Sequence, residues 1–308
     1  MKRKLILWTG LGILGLLAAV LFLGGCEEED VAGVFGAADV NASKVETVEL
    51  QFEAPVTLSV DTSNGGVTVQ GVEGIQSVSV TITLRSKGGT LEEAQDRVDR
   101  IVYHVEQSGN RISARYRASE QEADVRRYSG VDFDVLVPVE TRVEVDTSNG
   151  AISIEAIDGS IRLDTSNGAI DVYDSSGSLN ADTSNGRIEV VRFVGDLRLD
   201  TSNGEVWIEE VVGSVDAETS NGSVQYIGTP TTVSNRLRTS NGSITVRVPI
   251  DASIAFVAGT SSGRIRSSLP LVGDTQGDEW SAELNPPTDT MLTLRTSNGT
   301  IRIEGTGP

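Results

Sequence analysis

The chain has 308 residues and a formal net charge of −19, because 44 acidic side chains outnumber 25 basic ones. Such a surface repels nucleic acid and anionic lipid headgroups, which excludes a nucleic-acid-binding protein. A single cysteine excludes an internal disulfide and dithiol redox chemistry.

The N-terminal segment has the pattern of an export signal. Three basic residues at positions 2–4 precede an apolar run over residues 5–23, and the only cysteine, Cys26, follows directly after Leu-Gly-Gly. The run is long enough to span a membrane, so an uncleaved anchor is the alternative. Leu-Gly-Gly-Cys resembles the lipobox of bacterial lipoproteins. This resemblance implies that residues 1–25 are a lipoprotein signal peptide and that Cys26 carries a diacylglycerol, which anchors the protein to a membrane.

The next segments are a tether and an N-terminal β region. In residues 26–44, four acidic side chains at 27–30 follow Cys26 and the rest is weakly patterned, so we expect a flexible tether. In residues 45–142, alternating apolar side chains predict strands, and the charged residues 120–127 are expected to form a loop.

A change of period inside this region predicts one helix. Apolar side chains at helical spacing place it over about residues 91–107, with Thr90 and Glu93 as a capping box and residues 108–110 as its end. A single helix in a β chain is expected to cover an open edge or face of the sheet.

The sequence Asp-Thr-Ser-Asn-Gly then returns with a period of 18 residues. A fixed period near 20 indicates one structural unit stacked on copies of itself. The regular copies occupy 146–150, 164–168, 182–186, 200–204 and, with Glu for Asp, 218–222; looser copies occupy 238–242, 259–263 and 295–299, and one stands alone at 61–65.

Within each period, apolar and polar residues alternate. Ile161 and Leu163 before the Asn-Gly pair, and Ile170 and Val172 after it, predict strands with one buried face. Asn-Gly ordinarily indicates an antiparallel hairpin. The constant spacing instead favours a β-solenoid, in which every copy has the same neighbours. We therefore predict an all-β fold, with a parallel β-helix-like solenoid of 18-residue coils over residues 143–308 and a thin core that has one threonine at each corner.

The Asn-Gly corners carry a further prediction. Asparagine and glycine tolerate positive φ at little steric cost, so we expect positive φ at Asn167, Asn185 and Asn203 and at the glycine after each. A valine in place of Gly186 is then expected to be destabilising.

The chain resembles a bacterial β-strand-repeat family whose members are named "putative adhesins", a domain family of unknown function. The resemblance is carried by Val-Asp-Phe-Asp-Val-Leu-Val-Pro at 131–138, the helix before it, the repeated Thr-Ser-Asn-Gly and the closing strands at 292–303, and it covers residues 45–304. It implies a β-solenoid-like domain outside a bacterial membrane, with relatives beside envelope-stress and antimicrobial-peptide-response components. It implies no activity and no catalytic residues.

Residues for catalysis are not apparent in the sequence. The only histidine, His104, is predicted to lie exposed on the flank of the helix. There is no His/Cys cluster for a transition metal and no strand, Gly-rich loop and helix unit for phosphate. We predict no catalytic residues and no enzyme.

One acidic row is a candidate binding site. Alternation places these residues outward and stacking places them side by side, where like charges repel. They could hydrogen-bond their own corner amides, or they could form a row of oxygen ligands for Ca²⁺ or a cationic partner. The row comprises Asp146, Asp164, Asp182, Asp200 and Glu218.

These observations favour a non-enzymatic, extracytoplasmic, membrane-anchored lipoprotein of the cell envelope. In this reading, an adhesin-like or scaffold module uses the faces of the solenoid to bind an envelope protein, a glycan or a cationic peptide. The alternatives are an envelope-stress or antimicrobial-peptide-response component acting through a membrane-protein partner, and a polysaccharide-acting β-helix enzyme. An ice-binding face is disfavoured because alternation points the threonines inward.

Overall fold

The computed structural model of the protein describes residues 20–21, 39–231 and 234–306. Cys26 and most of the predicted signal peptide and tether lie outside the described residues. Within those ranges, no helix is long and apolar enough to cross a membrane. The chain divides into two compact units, residues 1–152 and 153–308, which are described separately.

In its described residues, the first unit is mainly β-structure with two helices and a 3₁₀ turn. Its elements are β1 (Val20–Leu21), β2 (Val40–Gln51), β3 (Val56–Thr62), β4 (Val67–Val72), β5 (Ser77–Gly88), α1 (Leu91–Arg100), β6 (His104–Ser108), β7 (Arg111–Tyr116), the 3₁₀ turn (Ala118–Glu120), α2 (Ala123–Tyr128), β8 (Ser129–Pro138) and β9 (Thr141–Thr147).

Parallel and antiparallel pairing are combined in this unit. Strand β3 lies parallel between β7 and β9, and β4 pairs parallel with β8. Strand β5 then pairs antiparallel with both β8 and β2, so the pairing changes from parallel to antiparallel beyond β8. Strand β2 begins at Val40, and residues 40–44 of the predicted tether are therefore part of the sheet.

The helix has the predicted start but a different end. Thr90 is the N-cap, and its side chain accepts a hydrogen bond from the backbone N–H of Glu93. The helix buries Ala94 and Val98 and packs on β5 and β2, as expected of a helix that covers a sheet. The prediction that it continues to residue 107 is wrong, because β6 begins at His104 and forms a hairpin with β7.

The charged segment at residues 120–127 is also more regular than a loop. It contains the short helix α2, and Arg100 of α1 binds the carboxylate of Asp124 with both terminal nitrogens, at 3.2 and 2.6 Å. This pair lowers the pKa of Asp124 to about 2, chiefly through the hydrogen bond from Arg100. The prediction of a loop at residues 120–127 is therefore wrong, since charged side chains here join two helices.

The second unit consists of strands throughout. Its elements are β10 (Ile152–Glu155), β11 (Asp158–Thr165), β12 (Ile170–Thr183), β13 (Ile188–Thr201), β14 (Val206–Thr219), β15 (Val224–Pro230), β16 (Ser234–Thr239), β17 (Ile244–Pro249), β18 (Ile254–Thr260), β19 (Ile265–Ser267), β20 (Val272–Asp274), β21 (Glu279–Leu284), β22 (Met291–Thr296) and β23 (Ile301–Thr306).

The second unit is a β-solenoid, as predicted. Strands β11, β12, β13 and β14 pair in parallel with an offset of one 18-residue period, so that Ile161 lies beside Leu179 and Leu179 beside Leu197. The alternate residues of both strands of each coil are buried, and the threonine before each Ser-Asn-Gly points into the core. Equivalent positions of successive coils therefore stack on one another, which the repeat requires.

The coils of the C-terminal part do not follow chain order. Strands β22 and β23, the last of the chain, lie between the β16–β17 coil and the β18–β19 coil. Antiparallel β21 then pairs with β18, and β20 pairs with β21. The segment at 271–289 thus supplies two strands that extend the sheet beyond β18.

In β12, β13 and β14, positive φ occurs at a second corner, a bend within the strand, and not at Asn-Gly. Asp174, Arg192 and Glu210 have φ of 51°, 54° and 54°, and a glycine with positive φ follows three residues after each. The prediction of positive φ at Asn167, Asn185, Asn203 and their glycines is therefore wrong. At the second corner, Arg192 binds Asp174 through two hydrogen bonds of 2.5 and 2.7 Å.

Candidate functional site

The Thr-Ser-Asn-Gly corner is held by its own atoms, as Thr201 shows. The Thr201 side chain is 1% exposed. Its Oγ1 accepts a hydrogen bond from the backbone N–H of Gly204 at 3.2 Å and donates one to the carbonyl oxygen of Gly186, in the preceding coil, at 2.9 Å. The same two bonds recur at Thr183 and Thr219. Each threonine hydroxyl thus closes its own corner and joins it to the corner of the preceding coil.

The asparagines form a ladder of side-chain hydrogen bonds along the corners. Each Nδ2 donates to the Oδ1 of the asparagine in the neighbouring coil at 2.8–2.9 Å, an arrangement that stabilises stacked parallel strands. The ladder runs through Asn167, Asn185, Asn203, Asn221, Asn241 and Asn298.

The glycines are required by the close approach of the coils. A Cβ on Gly186 would lie 1.6 Å from the carbonyl oxygen of Gly168, and one on Gly204 would lie 1.7 Å from that of Gly186. No side chain fits at this spacing. Glycine is therefore required at the corner because no Cβ fits there. The sequence analysis had instead attributed the glycine to positive φ.

The acidic residue before the corner is not needed to satisfy the corner amides. In the coil of Asp200, the amides of Ser202 and Asn203 donate to carbonyl oxygens of the preceding coil at 3.3 and 3.0 Å. The amide of Gly204 donates to the threonine hydroxyl. The interpretation that the aspartate caps its own corner is wrong for this coil, and the position before the threonine is free to vary.

These variable positions form one outward row across the sheet, which we call the charged row. Successive members are register partners in neighbouring strands. The four acidic residues predicted to stack in this unit do so, and the row then changes sign. In spatial order it reads Asp164, Asp182, Asp200, Glu218, Arg238, Arg295, Gly259 and Glu279.

Asp146, the remaining residue of the predicted acidic row, lies in the first unit. Its register partner there is Asp61 of β3, the aspartate of the solitary early copy. Asp61 is paired with Arg117, whose Nη2 lies 2.7 Å from the Asp61 Oδ2. The early copy is thus a corner of the same kind, with its acidic residue partly neutralised.

Within the charged row, the aspartates raise one another's pKa. Burial and then the carboxylate of Asp164 raise the pKa of Asp182 above its ordinary value. Burial, Asp182 and Glu218 do the same for Asp200. In the described part of the chain, no group of three or more His, Cys, Asp or Glu side chains is arranged to hold a metal ion. The carboxylates form a row, and binding of Ca²⁺ by it stays a prediction.

Neutralising Asp182 is expected to stabilise the fold. A carboxyl whose pKa is raised by folding favours the native state below its unfolded-state pKa, and that contribution is lost as pH rises through the raised pKa. At pH 7 the ionised row is therefore destabilising. Asp182→Asn should raise the free energy of unfolding by about 0.2–1 kcal/mol, the range for like charges on neighbouring strands. Urea titration at pH 7 measures this change, and the gain should shrink at pH 3.

The same variant tests cation binding. If the row binds Ca²⁺, millimolar Ca²⁺ should raise the melting temperature of the wild type more than Na⁺ at matched ionic strength, and Asp182→Asn should weaken that difference. Equal shifts in the two salts would contradict cation binding. Asp251→Asn, an exposed residue outside the row, is the matched control and should change neither measurement.

At its basic end, the charged row forms a groove that we call the arginine groove. Arg238 and Arg295 are register partners, and the next position is Gly259. A Cβ on Gly259 would lie 2.1 Å from Nη1 of Arg295, so the guanidinium lies where a side chain at 259 would be. The groove has a volume of about 380 Å³ and is lined by these residues, Arg236, Glu279 and the corner residues Thr239, Thr260, Ser261, Thr296 and Ser297.

Each arginine of the groove has an acidic neighbour, but the three differ. Arg236 binds Asp216 through two hydrogen bonds of 2.9 and 3.0 Å. Nη1 of Arg295 donates to Oε1 of Glu279 at 2.8 Å. Nε of Arg238 lies 3.6 Å from Oε1 of Glu218, which is beyond hydrogen-bond distance. The sequence analysis did not identify the groove, because the spacing of the repeats does not reveal that Gly259 lies beside Arg295.

His104 is not on the helix flank, so that prediction is wrong. It begins β6, and its Nε2 lies 3.5 Å from Oε2 of Glu120. Glu120 is also 3.5 Å from Nη2 of Arg115. The histidine therefore belongs to a small charged cluster on the surface.

Comparison with known proteins finds one family model that covers most of the chain and solved structures of low similarity. A family model described as Toastrack DUF4097 matches residues 56–304. A "putative adhesin" from Bacteroides fragilis is similar, at 12% identity and a TM-score of 0.38, over 85% of this chain and 97% of that one. A "putative cell adhesion protein" from Clostridium sporogenes is similar at 10% identity and a TM-score of 0.29, over 87% and 100%. No curated protein matches the sequence significantly.

Proposed function

The chain belongs to the Toastrack DUF4097 family, and on this premise we propose that it is a non-enzymatic binding module of the bacterial cell envelope. One observation carries the proposal. The buried threonine, the asparagine and the glycine of each corner have structural tasks, whereas the outward residue before them varies in charge along a rigid row. A rigid scaffold with one variable face suits recognition at a surface.

The proposal includes a lipid anchor at Cys26. Its support is the sequence Leu-Gly-Gly-Cys after a basic and apolar leader. Cys26→Ser should leave an unprocessed precursor that incorporates no labelled fatty acid in growing cells. Mass spectrometry of the N-terminus and metabolic labelling measure this. Normal processing and labelling of the variant would contradict the anchor.

The binding function is tested with a chain that begins at Glu27, because it has neither the apolar leader nor the cysteine, and membrane insertion cannot then be mistaken for recognition. The labelled protein should bind isolated cell envelopes saturably, and excess unlabelled protein should compete. Protease treatment of the envelopes should abolish binding if the partner is a membrane protein, as an envelope-stress role requires. It should leave binding intact if the partner is a glycan.

A charge reversal within the charged row, compared with one outside it, tests whether the row takes part in this binding. Asp200→Lys reverses one charge within the row and should change the affinity several-fold, since electrostatic complementarity is altered at the face. Asp251→Lys makes the same charge change at an exposed position outside the row and should have little effect. Binding that does not saturate, or equal effects of the two variants, would contradict the proposal.

A further inference from the structure

We propose that the arginine groove binds the carboxylate of a sugar acid, as one acidic residue within a glycan. This inference rests on the proposed binding function and names its ligand class. The groove contains two guanidinium groups on neighbouring parallel strands, Arg238 and Arg295, and the guanidinium of Arg295 lies over Gly259.

The first argument is the supply of hydrogen-bond donors. A guanidinium has five N–H groups in a planar fork that matches a carboxylate. Arg295 donates from Nη1 to Glu279, a side chain that is 78% exposed. Arg238 has Glu218 at 3.6 Å, too far for a hydrogen bond. Two adjacent cations with donors left over repel each other, and a carboxylate between them would offset that repulsion.

The second argument concerns the number of charges on the ligand. The acidic stretch of the charged row begins one strand from Arg238, at Glu218, and continues through Asp200. Strands are about 4.8 Å apart, and the Debye length at physiological salt is about 8 Å. A polyanion in the groove would therefore meet unscreened carboxylates, whereas a single carboxylate would not extend to them.

The third argument concerns the rest of the ligand. Every side chain that lines the groove is polar, and the corner hydroxyls of Ser261 and Ser297 lie on its exposed rim. Glu279 supplies an acceptor for a ligand hydroxyl. The arginines can bind the carboxylate of a ligand, and the serine hydroxyls and Glu279 can bind its hydroxyl groups. This set of groups matches a sugar acid better than an apolar peptide. The volume of about 380 Å³ lies in the lower part of the range for small-ligand sites, about 300–1,000 Å³.

The experiment uses the full chain in detergent with two matched pairs of probes. The sugar pair is methyl glucuronide and methyl glucoside, which differ in the carboxylate. The peptide pair is acetyl-Gly-Gly-Leu with a free and with an amidated C-terminus. Calorimetry or saturation-transfer NMR should detect methyl glucuronide, with a dissociation constant on the order of 1 mM, and no binding of the glucoside. Binding of the peptide acid as tight as that of the glucuronide would overturn the sugar assignment.

Three variants test the geometry. Arg295→Gln should weaken methyl glucuronide binding at least ~10-fold, the loss expected for a charge-assisted hydrogen bond. Gly259→Ala should also weaken it, although it changes no charge, because the added Cβ displaces the guanidinium of Arg295. Arg266→Gln removes an exposed arginine from β19, outside the groove, and should leave binding unchanged. Equal effects of Arg295→Gln and Arg266→Gln would overturn the proposal.

Failure of this inference is distinguishable from failure of the proposed function. If saturable envelope binding persists while methyl glucuronide does not bind, the groove assignment is wrong and the binding module stands. If envelope binding is also absent, the function itself is wrong. Envelope binding that is lost in Arg295→Gln and kept in Arg266→Gln would place recognition in the groove.

Discussion

Gly186→Ala is expected to destabilise the solenoid by about 3 kcal/mol, near the upper end of the cost of inserting atoms into a packed site. The added Cβ would lie 1.6 Å from the carbonyl oxygen of Gly168 and 2.5 Å from its carbonyl carbon. These are backbone atoms of a neighbouring coil, so they cannot rotate away as a flexible side chain would. Relief requires the two coils to separate, which disrupts the hydrogen bonds between them. Urea titration followed by circular dichroism measures the loss.

Gly66→Ala is the matched control. Gly66 follows the corner glycine of the early copy, and a Cβ there would lie 3.5 Å from the nearest atom, the carbonyl oxygen of Ala151. This is an ordinary van der Waals distance, so the change should alter the free energy of unfolding by less than about 0.5 kcal/mol. Equal stability of Gly186→Ala and the wild type would contradict the close approach of the coils at the corner.

The sequence was sufficient to predict the solenoid because its signals act locally and repeat. Alternation identified the buried faces, and a constant spacing of 18 residues identified stacked coils, since only stacking gives each residue the same neighbour. Leu179 beside Leu197 is the kind of contact that such a repeat specifies. The cap at Thr90 was predictable for the same reason, because a capping box lies within four residues.

Features that depend on distant parts of the chain were not predictable. The end of α1 is one example: apolar spacing continues past Arg100, but residues from His104 onward pair with β7 as a strand. Tertiary pairing overrides helix propensity there. The tether is another, since its residues from Val40 onward find a partner in β5, far along the chain.

At the candidate site too, the feature that depends on local spacing was predictable and the arginine groove, which depends on distant parts of the chain, was not. The stacking of the acidic residues could be predicted, because one period separates each from the next. Arg238 and Arg295 are separated by three times that distance in sequence, and their adjacency depends on the last coil lying between two earlier ones. No local pattern encodes that insertion. The role of the corner glycine was also misassigned, because Asn-Gly has two physical explanations, permitted φ and close approach, and only coordinates distinguish them.

Thr201→Val is the second large effect that we expect, and it separates hydrogen bonding from packing at the corner. Valine has nearly the shape of threonine but no hydroxyl. The change removes the donor to the carbonyl oxygen of Gly186 and the acceptor for the amide of Gly204, at a site where the side chain is 1% exposed. A buried polar group that loses its partner costs about 1–3 kcal/mol. With two groups affected, we expect a loss of about 2–3 kcal/mol in the free energy of unfolding, measured by urea titration.

Thr201→Ser makes the prediction decisive, because it keeps the hydroxyl and removes the methyl group. If hydrogen bonds hold the corner, serine should cost only about 1 kcal/mol, the value of one buried methyl group, and valine should cost more. If packing alone holds it, the order reverses, with valine near neutral. Thr245→Val, at a half-buried outward position in β17, controls for the change of residue type and should have little effect. Valine less costly than serine at 201 would contradict the structural role assigned to the threonine of every corner.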